Sequence, residues 1–102
     1  MSETKTYSEE ELVICIQQKD QVAFSYLYAN YAGALNGVIY RMVEDSQLAE
    51  DILQEAFIKI WNNFKQYDHK KGRLFTWMVN ITRNLTIDTL RSKGYKKQQK
   101  IS

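Results

Sequence analysis

Ten side chains in the carboxyl-terminal part of the chain have the chemistry to hold a nucleic-acid strand. Tyr67, His69, Lys70, Lys71 and Arg73 crowd one polar stretch, and Asn80, Arg83, Asn84, Ile87 and Arg91 fall at i, i+3, i+4, i+7 and i+11. Lysine and arginine neutralise phosphates, and asparagine both donates to and accepts from a base edge. The flat rings of Tyr67 and His69 suit stacking on an extruded base. Spacing alone leaves the helical set open between a nucleic-acid reader and a structural filler. Tyr67 can equally be a lid on the core.

A second set has the opposite character. Asp51, Gln54 and Glu55, at i, i+3 and i+4, put three acceptor-bearing side chains on one helix face, a surface able to bind basic side chains. Such a triplet is often only a solvated face. Ile58 adds an apolar group beside it, the mixture common at docking surfaces.

Other chemistries lack their residues. His69 is the one histidine and Cys15 the one cysteine, so neither a metal site nor an internal disulfide is expected, and a free thiol suits a reducing cytosol. No glycine-rich phosphate cradle, serine elbow or paired catalytic acid appears, so no enzyme and no cofactor are expected. The longest apolar run, residues 12–16, is far short of the roughly 20 residues of a membrane span. Trp61 reads as core, and Trp77 is open between core and stacking.

Charge divides the chain. Residues 1–64 carry four basic side chains against ten acidic ones, a balance of minus 6. Residues 65–102 carry ten against two, a balance of plus 8, so the overall plus 2 conceals two oppositely charged parts. A polyanion suits the second part and a different partner the first.

The elements that must position these residues read as helices throughout. There is no proline, and no Asn-Gly or Asp-Gly signal separates alternating runs. At 102 residues one domain is expected. Ser8 with Glu11 forms a capping box, with Tyr7 stapled to Leu12, and predicts a first helix ending near residue 18. Asp20 caps a second, to about residue 44, with Phe24, Leu27, Tyr28, Tyr31, Leu35, Val38, Ile39 and Met42 as its buried stripe. Gly33 and Gly37 on it offer another helix a close approach. A third starts at Asp45 or Ser46, apolar over more than half its circumference through Leu48, Ile52, Leu53, Ala56, Phe57, Ile60, Trp61 and Phe64. A polar loop over 65–72 precedes a fourth helix, 73–91, whose core side is Leu74, Phe75, Met78, Ile81 and Leu85. Residues 92–102 read as a basic tail or linker.

Three segments in this order resemble region 2 of the bacterial sigma-70 family, in its compact extracytoplasmic-function group. They are Asp20-Gln21-Val22-Ala23-Phe24 with Leu27 and Tyr31; Ala49-Glu50-Asp51-Ile52-Leu53-Gln54-Glu55-Ala56-Phe57-Ile58-Lys59-Ile60-Trp61; and Phe75-Thr76-Trp77 with residues 81–91. The resemblance implies an all-α bundle of three long helices and a shorter amino-terminal one over residues 1–95, with 96–102 a tail or the start of a linker. It implies that Asp51, Gln54, Glu55 and Ile58 dock on the clamp helices of the polymerase beta-prime subunit. The loop and fourth helix would recognise the minus-10 promoter element and stabilise its opened non-template strand. A flipped base would sit among Tyr67, His69 and Asn84, while Lys70, Lys71, Arg83 and Arg91 track phosphates. An anti-sigma partner and a cytoplasmic location are also implied.

Complete members of that family continue into region 4, which reads the minus-35 element, so this chain is expected to be one domain of a longer factor. Housekeeping members carry additional strand-melting aromatics where this chain reads Met78-Val79-Asn80-Ile81-Thr82, which agrees with the extracytoplasmic group. Two other readings of the residues stay open: a generic helical nucleic-acid-binding module, and a protein-interaction bundle with a solubilising tail.

Overall fold

Each predicted helix start is present in the computed structural model, which describes residues 6–92. Ser8 Oγ accepts from the Glu11 amide at 3.1 Å and Glu11 Oε1 from the Ser8 amide at 3.0 Å, a complete capping box that begins α1, Glu9–Gln17. Asp20 accepts from the amides of Val22 and Ala23 and starts α2, Gln21–Val43. Asp45 accepts from Leu48 N and starts α3, Ser46–Asn63. Two short 3-10 turns, Phe64–Gln66 and His69–Lys71, lead into α4, Leu74–Ser92. The expected tail, with Lys93, Lys96, Lys97 and Lys100, lies outside the described residues.

Helix ends are set by backbone geometry. After α1 the Lys19 amide donates to Ile16 O at 2.8 Å and the Asp20 amide to Cys15 O at 3.1 Å, with Lys19 at φ 64° where glycine is commoner. Glu44, at φ 54°, closes α2 in the same left-handed region. The connections from α1 to α2 and from α2 to α3 are so short that these neighbours must lie side by side, whereas a longer segment joins α3 to α4. Helix α2 touches all three others, and α3 also packs on α4.

The core is the apolar stripe of each helix: Leu12 and Ile16 from α1, Leu27, Leu35 and Ile39 from α2, and Ile52, Ala56 and Ile60 from α3. Leu74, Met78 and Leu85 complete it from α4. Several expectations change. Tyr28 is exposed rather than buried and Trp61 only half-buried, because both line an open groove along the α2–α3 seam. Phe75 is partly exposed and stacks on Tyr31, with ring centroids 5.8 Å apart. Gly33 has no neighbour within 4 Å of where a Cβ would lie, and Gly37 meets only the end of Arg41, so neither serves a close helix approach. Thr82 and Thr86 are fully buried, since each hydroxyl donates to the carbonyl four residues earlier, at 2.8 and 2.7 Å.

Candidate nucleic-acid interface and docking face

The basic stretch between α3 and α4 is held from below by rings and from the side by α1. Tyr67 is 5% exposed and packs against Phe64 and Trp77, at 6.2 and 5.4 Å between centroids. Its hydroxyl donates to Gly72 O at 2.8 Å, closing the residues between into a tight arch. Burial, with the Glu9 charge adding, pushes the Tyr67 phenol above its ordinary pKa, so it remains a donor. Gly72 sits at φ 153°, a conformation that side chains disfavour. Tyr67 is therefore the lid on the core, and its buried ring is not free to stack on a base as one sequence reading had it.

Helix α1 and the turn after it supply three side chains to this region. Gln17 Nε2 donates to Tyr67 O at 3.2 Å and to Phe64 O at 3.4 Å. Lys19 Nζ donates to Trp61 O at 2.7 Å and stands 4.4 Å over the Trp61 ring. Glu9 Oε1 pairs with Arg73 at 3.1 Å while its Oε2 accepts from the Leu74 amide, the first of α4, at 3.1 Å. The Arg73 guanidinium, then the Leu74 amide, hold the Glu9 carboxyl below its ordinary pKa. None of these three was singled out from sequence, because their partners lie 42 to 65 residues away and no local pattern encodes them.

The arch separates two clefts. One, of about 210 Å³, is lined by Lys71, Arg73, Asp68, Thr76 and Asn80 together with Tyr67 and Trp77. The other, of about 630 Å³, lies towards α1 and includes His69, Tyr67 and Ile14, with Glu9, Glu10 and Asp68 set against Arg73. The expected grouping of Tyr67, His69 and Asn84 is thus divided. His69 and Tyr67 share the α1-side cleft, whereas Asn84 lines neither and stands one turn beyond Asn80 on α4. His69, Lys70 and Lys71 are exposed on the second 3-10 turn, and Arg73, Asn80, Arg83, Asn84 and Arg91 are exposed along α4. Ile87 is half-buried and so contributes less surface than its neighbours.

The second face keeps the predicted set together. Asp51, Gln54 and Glu55 are exposed on α3, Asp51 accepting from Gln47 Nε2 at 3.3 Å, and Ile58 is 61% exposed. Gln54 and Ile58 border a groove of about 640 Å³ whose other walls are Phe24, Tyr28, Phe57 and Trp61. The α2 half of this groove was missed because Phe24 and Tyr28 fit the helical stripe that reads as core. Among the described residues there is no group of three or more His, Cys, Asp or Glu side chains that could hold a metal ion, and no helix long and apolar enough to cross a membrane.

The family model for Sigma-70 region 2 matches residues 27–95. This chain belongs to the sigma-70 region 2 family. It is 37% identical over 78 residues to the ECF RNA polymerase sigma factor SigW of Bacillus subtilis, covering 76% of this chain and 41% of that protein. It is 24% identical over 82 residues to the ECF RNA polymerase sigma factor SigK of Mycobacterium tuberculosis, covering 80% of this chain and 44% of that one. The chain therefore spans less than half the length of these relatives. Its fold is similar to that of an engineered region 2 of sigmaE, solved by NMR in complex with GTAAAA. The TM-score is 0.80 at 28% identity, covering 92% of this chain and 97% of the other.

Proposed function

We propose that this region 2 domain docks on RNA polymerase core and captures the opened non-template strand of the minus-10 promoter element, with catalysis left to polymerase. The observation that carries the reading is the small cleft beside the arch. It unites two cations, Lys71 and Arg73, the Asn80 amide and the half-buried ring of Trp77 in one concavity. Cations hold a backbone, an amide reads a base edge, and an apolar wall receives the base face, which is the chemistry of an unpaired strand. Lys70, Arg83, Asn84, Ile87 and Arg91 extend the same side of the molecule, and His69 stands at the α1-side cleft. The likeness to a region 2 solved with GTAAAA supports this reading.

The α3 patch of Asp51, Gln54, Glu55 and Ile58 supplies the second contact, with the beta-prime clamp helices as its partner. Docking makes strand capture effectively intramolecular and compensates for weak intrinsic DNA affinity. An anti-sigma protein covering the same groove would compete with polymerase directly. A domain over 1–95 followed by a linker, in a cytoplasmic protein, completes the proposal. Single-stranded oligonucleotides that vary GTAAAA one base at a time test it. Asn80→Ala should flatten discrimination at one position, while Lys71→Ala weakens every sequence alike. Equal losses across all bases for Asn80→Ala would remove the base-reading role. In pull-downs with the clamp helices, Gln54→Ala combined with Glu55→Ala should lower capture, and undiminished capture would remove the docking role.

A further inference from the structure

Arg73 is the most exposed member of a pair whose other half is fixed. Its side chain is 81% accessible and its guanidinium bonds Glu9 Oε1 at 3.1 Å. The second oxygen of that same carboxylate is committed to the Leu74 amide at 3.1 Å. Glu9 is thus anchored by the backbone of α4, where a carboxylate also meets the positive end of the helix dipole. Arg73 has no such anchor, because its guanidinium is a five-donor fork on a long stem. A phosphate offers this fork the same bidentate geometry as a carboxylate. The arginine can therefore exchange partners while Glu9 stays in place.

We propose that Glu9 of α1 is a positioning residue for the strand-binding face: it caps α4 with one oxygen and, with the other, holds Arg73 in competition with a backbone phosphate. This rests on the reading of the arch and α4 as a single-strand interface. In the free protein the Glu9–Arg73 pair neutralises one cation beside the Lys71 and Asn80 cleft. On binding, the Arg73 fork turns from carboxylate to phosphate, and Glu9 remains on the Leu74 amide. The pair thereby lowers affinity for nonspecific polyanions and leaves base choice to residues deeper in the cleft. The contact is a restraint on DNA binding built from a helix that itself carries no candidate DNA contact.

The test is a double-mutant cycle on the full chain, read by anisotropy of a short fluorescein-labelled oligothymidine strand at low salt. Glu9→Gln keeps an oxygen for the Leu74 amide but removes the charge that holds Arg73. It should bind the strand about two- to fivefold more tightly, the range that exposed ion pairs span. In the Arg73→Ala background the same substitution should change affinity by less than half of that factor. A gain that persists undiminished with Arg73→Ala would reduce the effect to a general loss of negative charge and overturn the proposal. Unchanged binding by Glu9→Gln, in a chain whose wild type binds and whose Lys71→Ala variant binds less, would overturn the latch while sparing the interface. If neither wild type nor Glu9→Gln binds oligothymidine or GTAAAA at low salt, both the latch and the interface fail. An unchanged melting temperature for Glu9→Gln would separate lost restraint from lost folding.

Discussion

Tyr67 is where two sequence readings met, and the hydrogen bond decided between them. A ring that stacks on bases needs an open face, whereas this one is buried against Phe64 and Trp77 with its hydroxyl on Gly72 O. Tyr67→Phe should cost about 1 kcal/mol in urea unfolding, because it leaves a part-buried carbonyl without its partner. The phenol pKa is raised in the folded state, so the contribution is complete below the ordinary phenol range. It is lost as pH rises through the raised folded value. The Tyr67→Phe variant should therefore show a flatter alkaline limb in its stability profile, and an unaltered limb would place the coupling elsewhere. The exposure of His69, Lys70 and Lys71 was legible from sequence for a simpler reason: polar side chains in a polar stretch need no distant partner to be recognised. Asn80 and Asn84 were legible as one face but not as one site, since which turn of α4 meets the arch depends on packing.

Helix α1 has the short length and capping box that sequence predicts, yet its role was not legible. Its apolar side, Leu12 and Ile16, enters the core, while Glu9 and Gln17 reach the arch and the first 3-10 turn and Lys19, in the turn that follows, reaches the end of α3. The helix thus splints a segment that has few backbone bonds of its own. Gln17→Ala removes the donor to Phe64 O and Tyr67 O. Amide exchange should then quicken across residues 65–72, while global stability falls by about 1 kcal/mol or less. Hydrogen exchange read residue by residue checks this, and unchanged protection of the arch would deny α1 its supporting role. Helix α4 carries a feature that periodicity does not mark: the Thr82 and Thr86 hydroxyls are satisfied within the helix itself, and so these residues pack in the core at little cost.

Across the molecule, Asp51 and Glu55 of the acidic part are exposed on α3, while Glu9 of that same part reaches the basic arch. Lys70, Lys71, Arg73, Arg83 and Arg91 are all exposed beside the arch or along α4. If about five cations meet phosphates, the logarithm of single-strand affinity should fall with the logarithm of salt at a slope of about −3.5. Gln54→Ala with Glu55→Ala should leave that slope unchanged, and a shifted slope would mean the faces are coupled. The sequence by itself determined the helix starts at Ser8, Asp20 and Asp45, the family segments and the charge division, because caps, periodicity and charge are local or additive properties. Only the tertiary structure decided that Tyr67 faces inward, that Asn80 rather than Asn84 enters the cleft, and that Glu9 holds Arg73. Each of those outcomes depends on the angle at which helices far apart in sequence meet, and no stretch of the chain carries that angle alone.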